Sequence, residues 1–248
     1  MIPLLDHGYV KLIETWGSDQ RVIEAARMST DKGFQGWGAW HCPQCQAVLD
    51  HATICACGHA NYYKAGDEKL LAYLYKNKHF TPFEMSGLIV EVQAPIFVFR
   101  EWQRHRTQSY NELSARYTEL PNLFYTPSTN RLCNSRQSTS NKQGSDGGFS
   151  EADAATLGQQ LTAAYTASRE AYDHLLTQGL SREVARLVVP VAQYSRMRAS
   201  ANLRNWLQFL DLRMAPNAQF EIREYANAVA TLVKEKFPKT FQLFDESI

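Results

Sequence analysis

An α+β fold is what this sequence predicts, because apolar residues recur with a strand period in some segments and a helical period in others. The chain has 248 residues, 44% of them hydrophobic and 12% aromatic, enough to bury a sizeable core. Charged residues make up 21% and are spread along its length, unlike those of a disordered chain.

The elements follow in order. Alternating segments between Leu4 and Thr15 read as a strand. Ser18 and Asp19 offer an N-cap to a helix carrying Val22, Ile23 and Ala26. Asp31–Trp40 holds three glycines and two tryptophans and reads as a loop. Asp67 opens a helix with Leu70, Leu71 and Leu74 on one face, fading at Lys76-Asn77-Lys78-His79 before Pro82. Leu88, Val90 and Val92 alternate with Ile89, Glu91 and Gln93, a half-buried strand. Pro95 suits the first turn of a helix running through Phe99 and Gln103 towards Arg106. Pro121 to Gly148 is rich in Ser, Asn, Gln and Gly and reads as a long surface loop. Leu157, Leu161, Tyr165, Ser168, Tyr172 and Leu175 recur at spacings of four and three, an amphipathic helix ending at Gly179. Ser181 caps a short helix stopped by Pro190. Tyr194–Ala201 reads as a strand, and a helix follows from Asn202 to Leu212. The last helix starts near Pro216, with Ala218, Ile222, Tyr225, Val229 and Leu232 on one face. No internal repeat occurs, and one domain over 1–248 with an insertion at 40–65 is expected.

The 26 basic and 25 acidic residues nearly cancel, so no global field attracts nucleic acid or an anionic membrane. Any anion site has to be built locally. No apolar run approaches the roughly 18 residues of a membrane span, and Met1–Leu12 has no basic n-region or cleavage motif. The expectation is a cytoplasmic protein with neither a nucleic-acid nor a membrane partner.

Four of the five cysteines fall within Cys42–Cys57. In a reducing compartment such clustering favours metal over disulfides. Cys42-Pro43-Gln44-Cys45 and Cys55-Ala56-Cys57-Gly58 are separated by nine residues, and two such thiolate pairs can close a tetrahedral zinc site. The segment therefore reads as a zinc ribbon or knuckle with Cys42, Cys45, Cys55 and Cys57 as ligands. Because the second pair is CxC, His41, His51 and His59 stay open as substitutes. Four free buried cysteines are the plainer alternative.

The densest chemistry lies in Arg104-His105-Arg106-Thr107-Gln108-Ser109-Tyr110-Asn111-Glu112-Leu113-Ser114-Ala115-Arg116. Closely placed arginines offer planar donor forks for phosphate, carboxylate or a polarised ring carbonyl. By composition alone the cluster reads equally well as a basic helix end on a solvated face.

Arg104-His105-Arg106, seven residues and then Ser114 match the signature of the flavin-dependent thymidylate synthases. Ala94-Pro95-Ile96-Phe97-Val98, Tyr110 through Tyr117, His79-Phe80-Thr81-Pro82-Phe83-Glu84, Arg182-Glu183-Val184-Ala185-Arg186 with Pro190, and Asn202-Leu203-Arg204 through Leu212-Arg213 also resemble that family, in family order. The resemblance implies an antiparallel sheet with packed helices and reductive methylation of dUMP to dTMP. It implies methylenetetrahydrofolate as carbon donor, NADPH as reductant through FAD, and a homotetramer with shared active sites. By resemblance, Glu101, Trp102, Gln103, Arg104, Glu112, Leu113, Ser114, Ala115, Arg116, Arg186 and Arg213 contact dUMP. Arg213 is then the catalytic cation at the uracil edge, favouring the N3-deprotonated base. His79, Thr81, Arg104, His105, Arg106, Glu112, Asn202, Leu203, Arg204 and Gln208 contact FAD.

Four positions depart from the family pattern. Glu101 stands where glutamine is usual, Gln208 where asparagine is, and Asn217 and Met85 where histidine is frequent. Glu101 would be unwelcome beside a phosphate unless paired with Arg100 or Arg104. The cysteine-dependent class of thymidylate synthase needs a cysteine nucleophile, and the only cysteine outside the cluster, Cys133, lies in the polar stretch. A nucleic-acid module built from the zinc segment and the arginines, or a zinc-stabilised interaction protein without catalysis, are the readings from other classes.

Overall fold

The computed structural model describes the chain apart from residues 39, 43, 46, 50–54, 59–62, 65, 141, 146 and 248. In chain order the strands are β1 (Ile2–Leu4), β2 (Gly8–Trp16), β3 (Trp40–His41), β4 (Val48–Leu49), β5 (Tyr63–Lys64), β6 (Gly87–Pro95), β7 (Ser109–Glu112) and β8 (Tyr194–Asn202). The helices are α1 (Asp19–Arg27), α2 (Asp67–Lys76), α3 (Ile96–Trp102), α4 (Thr129–Cys133), α5 (Glu151–Thr177), α6 (Arg182–Ala185), α7 (Leu203–Arg213), α8 (Phe220–Lys236) and α9 (Pro238–Asp245). Among the described residues no helix is long and apolar enough to cross a membrane. The chain forms two compact units, Met1–Glu14 with Ile89–Ala201 and Gln208–Ala230, and Thr15–Leu88 with Asn202–Leu207 and Thr231–Ile248.

The first unit carries the body of a five-stranded sheet in the order β1-β2-β6-β8-β7. The single strand expected near the N-terminus is two, because the chain reverses between Leu4 and Gly8 and pairs Ile2 with Val10. Glycine is required at position 8, where a Cβ would fall 2.0 Å from the Tyr225 hydroxyl. Strand β6 follows its sequence alternation: Val90, Val92 and Ala94 are buried while Glu91 and Gln93 are half-buried.

Helix α3 is shorter than the pattern suggested and stops at Trp102 instead of running towards Arg106. Side chains take over the carbonyls that a further turn would have used. The Tyr110 hydroxyl donates to the carbonyls of Trp102 and His105 at 3.1 and 2.7 Å, and the buried Trp102 indole donates to Gln108 Oε1 at 3.0 Å. Arg104, His105 and Arg106 consequently lie on tight turns.

The polar stretch 121–148 is also not the open loop its composition implied. Tyr125 N donates to Ala192 O and Tyr194 N to Leu123 O, both at 2.9 Å, and the Gln193 amide bonds the carbonyls of Pro121 and Leu123. Helix α4 forms within it, N-capped by Ser128, and Cys133 ends that helix. Helix α5 is 27 residues long and capped by Ser150, yet only Ala154 and Tyr172 are buried along it. Helix α8 begins at Phe220, four residues beyond the expected start at Pro216, after a turn closed by Ala218 N on Ala215 O.

In the second unit α1 starts as expected, with Ser18 Oγ accepting from Arg21 N. Gly17 has φ +73°, and a Cβ there would meet the Ser86 Cα at 2.8 Å. Asp67 opens α2 but points inward, fully buried. Its Oδ1 accepts from Arg27, and its Oδ2 from the backbone of Gln35 and Gly36 at 2.6 and 2.9 Å. The glycine-rich loop is thereby fastened to a helix start. A helix absent from the sequence reading, α9, follows α8 with Pro238 in its first turn. It is capped from afar by buried Asp19, which accepts from Lys239 N, Thr240 N and Thr240 Oγ1. The insertion forms a small antiparallel sheet in the order β4-β3-β5.

Candidate functional site

In the first unit the turn after α3 and the second half of α7 enclose a cavity of about 480 Å³ lined by Arg104, His105, Arg106, Thr107, Gln208, Leu212 and Arg213. Five of these seven were candidates from sequence, and Thr107 and Leu212 are additions. Arg213 is the fixed point. Its Nε donates to His105 Nε2 at 2.9 Å, its Nη1 to Glu101 Oε2 at 2.9 Å and its Nη2 to the Glu101 carbonyl at 3.0 Å. A guanidinium has five N–H donors, so two of Arg213's remain for a ligand.

The imidazole of His105 packs edge-on to Phe209, 4.9 Å between centroids. Burial, and then the Arg213 charge, push its pKa down to about 4. It is neutral at pH 7, and since Nε2 accepts from Arg213 the proton sits on Nδ1. Glu101 pairs with Arg213, not with Arg100 or Arg104 as the sequence had suggested, so its carboxylate balances the one guanidinium held firmly here. Arg104 and Arg106 are exposed, and among the described residues neither has a carboxylate partner.

The remaining nucleotide candidates are placed less tightly. Trp102 is buried and serves the turn rather than the cavity. Gln103 donates to Glu112 Oε2 at 3.2 Å, which joins two candidates across β7. Leu113 N bonds to Arg196 O, holding Leu113 beside β8. Ser114 Oγ accepts from Arg116 N at 3.3 Å, a local turn with Ala115 inside it. Arg116 pairs with Glu183 at 2.8 Å in solvent, and Arg186 is exposed on a 3₁₀ turn. None of Ser114, Arg116 and Arg186 lines the Arg213 cavity.

In the second unit His79, Thr81 and Arg204 share a cavity of about 450 Å³ with Ala26, Leu74, Lys78, Phe80 and Pro82. The positive φ of Lys78, +57°, turns the chain there, and His79 N closes onto Leu74 O at 2.9 Å. Arg204 is ion-paired with Glu84. The other two candidates on this stretch act on the backbone: Asn202 Oδ1 accepts from Asn205 N at 3.0 Å, and buried Leu203 donates its N–H to Ser86 O. Neither lines the cavity.

The four cysteines of the insertion converge, with all four Sγ atoms within 4.8 Å of one another. Cys42 faces Cys57 and Cys45 faces Cys55, both pairs at 3.4 Å. The backbone N–H of Cys45, ahead of that of Gln44, favours the Cys42 thiolate and lowers its pKa to about 6. That is a metal-ready thiolate cluster, and four thiolates leave no open coordination position. His41 stands outside this group, while His51 and His59 lie outside the described residues.

A family model described as thymidylate synthase complementing protein matches residues 11–239. A flavin-dependent thymidylate synthase from Thermus thermophilus is 37% identical over 247 residues, covering 100% of this chain and 79% of that protein. One from Wolbachia pipientis is 35% identical over 246 residues, covering 98% and 75%. Among solved structures, the UMP/dUMP methylase PolB from Streptomyces cacaoi, bound with 5-Br UMP, superposes with a TM-score of 0.78 at 32% identity over 99% of this chain and 96% of that one. The same methylase bound with 5-Br dUMP gives 0.77 and 30%. The match along nearly the whole length, in a chain that fastens Arg213 beside His105 and Glu101, shows that it belongs to the flavin-dependent thymidylate synthase family.

Proposed function

We propose that the chain methylates dUMP to dTMP, with methylenetetrahydrofolate as carbon donor and NADPH as reductant through FAD. The observation that carries this reading is the Arg213 guanidinium, oriented by His105 and Glu101 and left with two donors in a cavity that exposed Arg104 and Arg106 also line.

The residues present fit a flavin dinucleotide. Arg104 and Arg106, exposed in the first unit, are the guanidinium donors its pyrophosphate needs. When bound, the flavin supplies the hydride. The protein's own part is electrostatic. Arg213 stabilises negative charge on the uracil ring and makes C5 the more nucleophilic, and neutral His105 accepts from Nε without adding a competing cation. Ser114 shapes the turn before Arg116 and binds substrate; it is not a nucleophile, since among the described residues no base stands beside it.

Arg116 and Arg186 complete the phosphate site in a homotetramer with shared active sites. Exposed Leu187, Val184 and Val191 on the α6 segment, beside the half-covered α5, support such an assembly. The insertion holds one structural zinc on Cys42, Cys45, Cys55 and Cys57. The protein works in the cytoplasm, without nucleic acid or membrane.

The deciding experiment is anaerobic turnover with dUMP, methylenetetrahydrofolate, FAD and NADPH, followed by detection of dTMP. UMP is run in parallel, because PolB takes both nucleotides. A yellow protein that bleaches with NADPH and yields dTMP is expected. A colourless protein that binds no FAD and yields no dTMP overturns the reading.

A further inference from the structure

A second cavity in the first unit, about 470 Å³, contains none of the candidate ligands named so far. One wall is α4 with its flanks, and the other is Pro216–Arg223, where α8 begins. Arg131, Asn134, Asn217, Gln219, Phe220 and Arg223 supply its chemistry. Both guanidiniums lie against the Phe220 ring, Arg131 at 5.4 Å and Arg223 at 5.9 Å from its centroid. Arg131 is neutralised by buried Glu221 at 2.8 Å. Arg223 is not: its Nη1 donates to the Pro216 carbonyl at 2.8 Å, and among the described residues no carboxylate pairs with it. No described acid lines the cavity either.

One uncompensated cation, a second cation close by and the positive end of α8 make this an anion site. Its other groups narrow the anion. A phosphate needs donors alone, whereas Asn217 and Gln219 each carry a donor and an acceptor, as a peptide-like amide beside a carboxylate requires. The Asn134 amide nitrogen is spent on Asn130, leaving its Oδ1 as an acceptor. We propose that this cavity holds the glutamyl end of the reduced folate, with a carboxylate on Arg223 and the adjoining amide on the carboxamides. The proposal rests on the reaction assigned above. Pro216 lies three residues beyond Arg213, at most about 11 Å along the chain. A folate carries its one-carbon unit and its carboxylates at opposite ends. A cavity next to the ring-binding arginine, yet distinct from it, suits the far end.

The test is calorimetric titration of the FAD-loaded protein with p-aminobenzoyl-glutamate, which has the tail and no pterin, alongside steady-state kinetics. Wild type should bind the probe, and the probe should compete with methylenetetrahydrofolate. Arg223→Gln should weaken the probe and raise the KM for methylenetetrahydrofolate about tenfold, the scale of a lost charged hydrogen bond, while dUMP titration of the flavin absorbance is retained. Failure of the probe to compete with methylenetetrahydrofolate in wild type overturns the proposal, whether or not the variant folds. So does a variant in which the KM for NADPH rises in place of that for the folate, which would assign the cavity to a phosphate. Arg223-dependent probe binding in a protein that makes no dTMP supports the cavity's chemistry and overturns the reaction instead.

Discussion

A guanidinium that commits three of five donors to the protein is aimed before any ligand arrives, and Arg213 is so aimed. Arg213→Ala should lower dTMP formation by about 10²–10³ while flavin stays bound, the usual cost of removing a charge-stabilising donor; near-normal turnover would refute the role. Glu101→Gln keeps an acceptor for Nη1, so dUMP affinity, read from the flavin absorbance, should change only slightly. His105 gives a pH signature. Its native pKa of about 4 lies below the ordinary 6.5, so between those values the unfolded chain binds a proton that the native one does not. Stability from this group is therefore complete above pH 6.5 and declines as pH falls towards 4, by up to about 3 kcal/mol. Urea midpoints at pH 7.5 and 5 should converge in His105→Gln relative to wild type, and an unchanged pH gap would sink the idea. Neither contact was legible in sequence, since Arg213 lies 108 positions from His105 and 112 from Glu101.

At the scale of elements, local signals were read well where the cause was local. Ser18 capping α1, Asp67 opening α2 and the alternation of β6 stand as the sequence indicated. The misses share a cause. Helix α3 ends at Trp102, where the Tyr110 hydroxyl bonds two carbonyls and Gln108 accepts from the indole, and 121–125 is ordered by Gln193 from about seventy positions away. In each case a side-chain hydrogen bond that hydrophobic periodicity does not reveal decides. Asp67 illustrates the energetic weight of such partners. It opens α2, and its buried carboxylate also holds Arg27 and the loop at Gln35–Gly36. Asp67→Ala should destabilise by about 3–5 kcal/mol, because it leaves a largely buried cation and two part-buried backbone donors unmatched. A loss below about 1 kcal/mol in urea unfolding would show that the clasp is incidental.

At the scale of the whole molecule, the cysteine insertion is separable in chemistry from the arginine site. Its four thiols converge on one another, and the family blocks resume on either side of it. One zinc per chain should be found by elemental analysis, and Cys45→Ser should lower both metal content and Tm, because thiolate sites of this size order when occupied. Replacing residues 40–65 by a short Gly/Ser linker should leave dUMP-dependent flavin oxidation detectable. A folded variant that binds FAD and dUMP but cannot turn over would instead give the insertion a part in catalysis.

By itself the sequence determined the α+β class, the family, the four-cysteine cluster and most helix starts, because each depends on short-range spacing or on motifs that survive as text. Only the tertiary structure decided that Glu101 balances Arg213, that His105 is neutral, that the polar stretch 121–148 is partly built, and that Arg131 and Arg223 both lie against the Phe220 ring. The physical reason is that charge balance, burial and hydrogen-bond satisfaction are properties of neighbours in space. Arg223 looks like any basic residue on an amphipathic helix until the fold brings Arg131 against the same ring and, among the described residues, leaves Arg223 without a carboxylate pair.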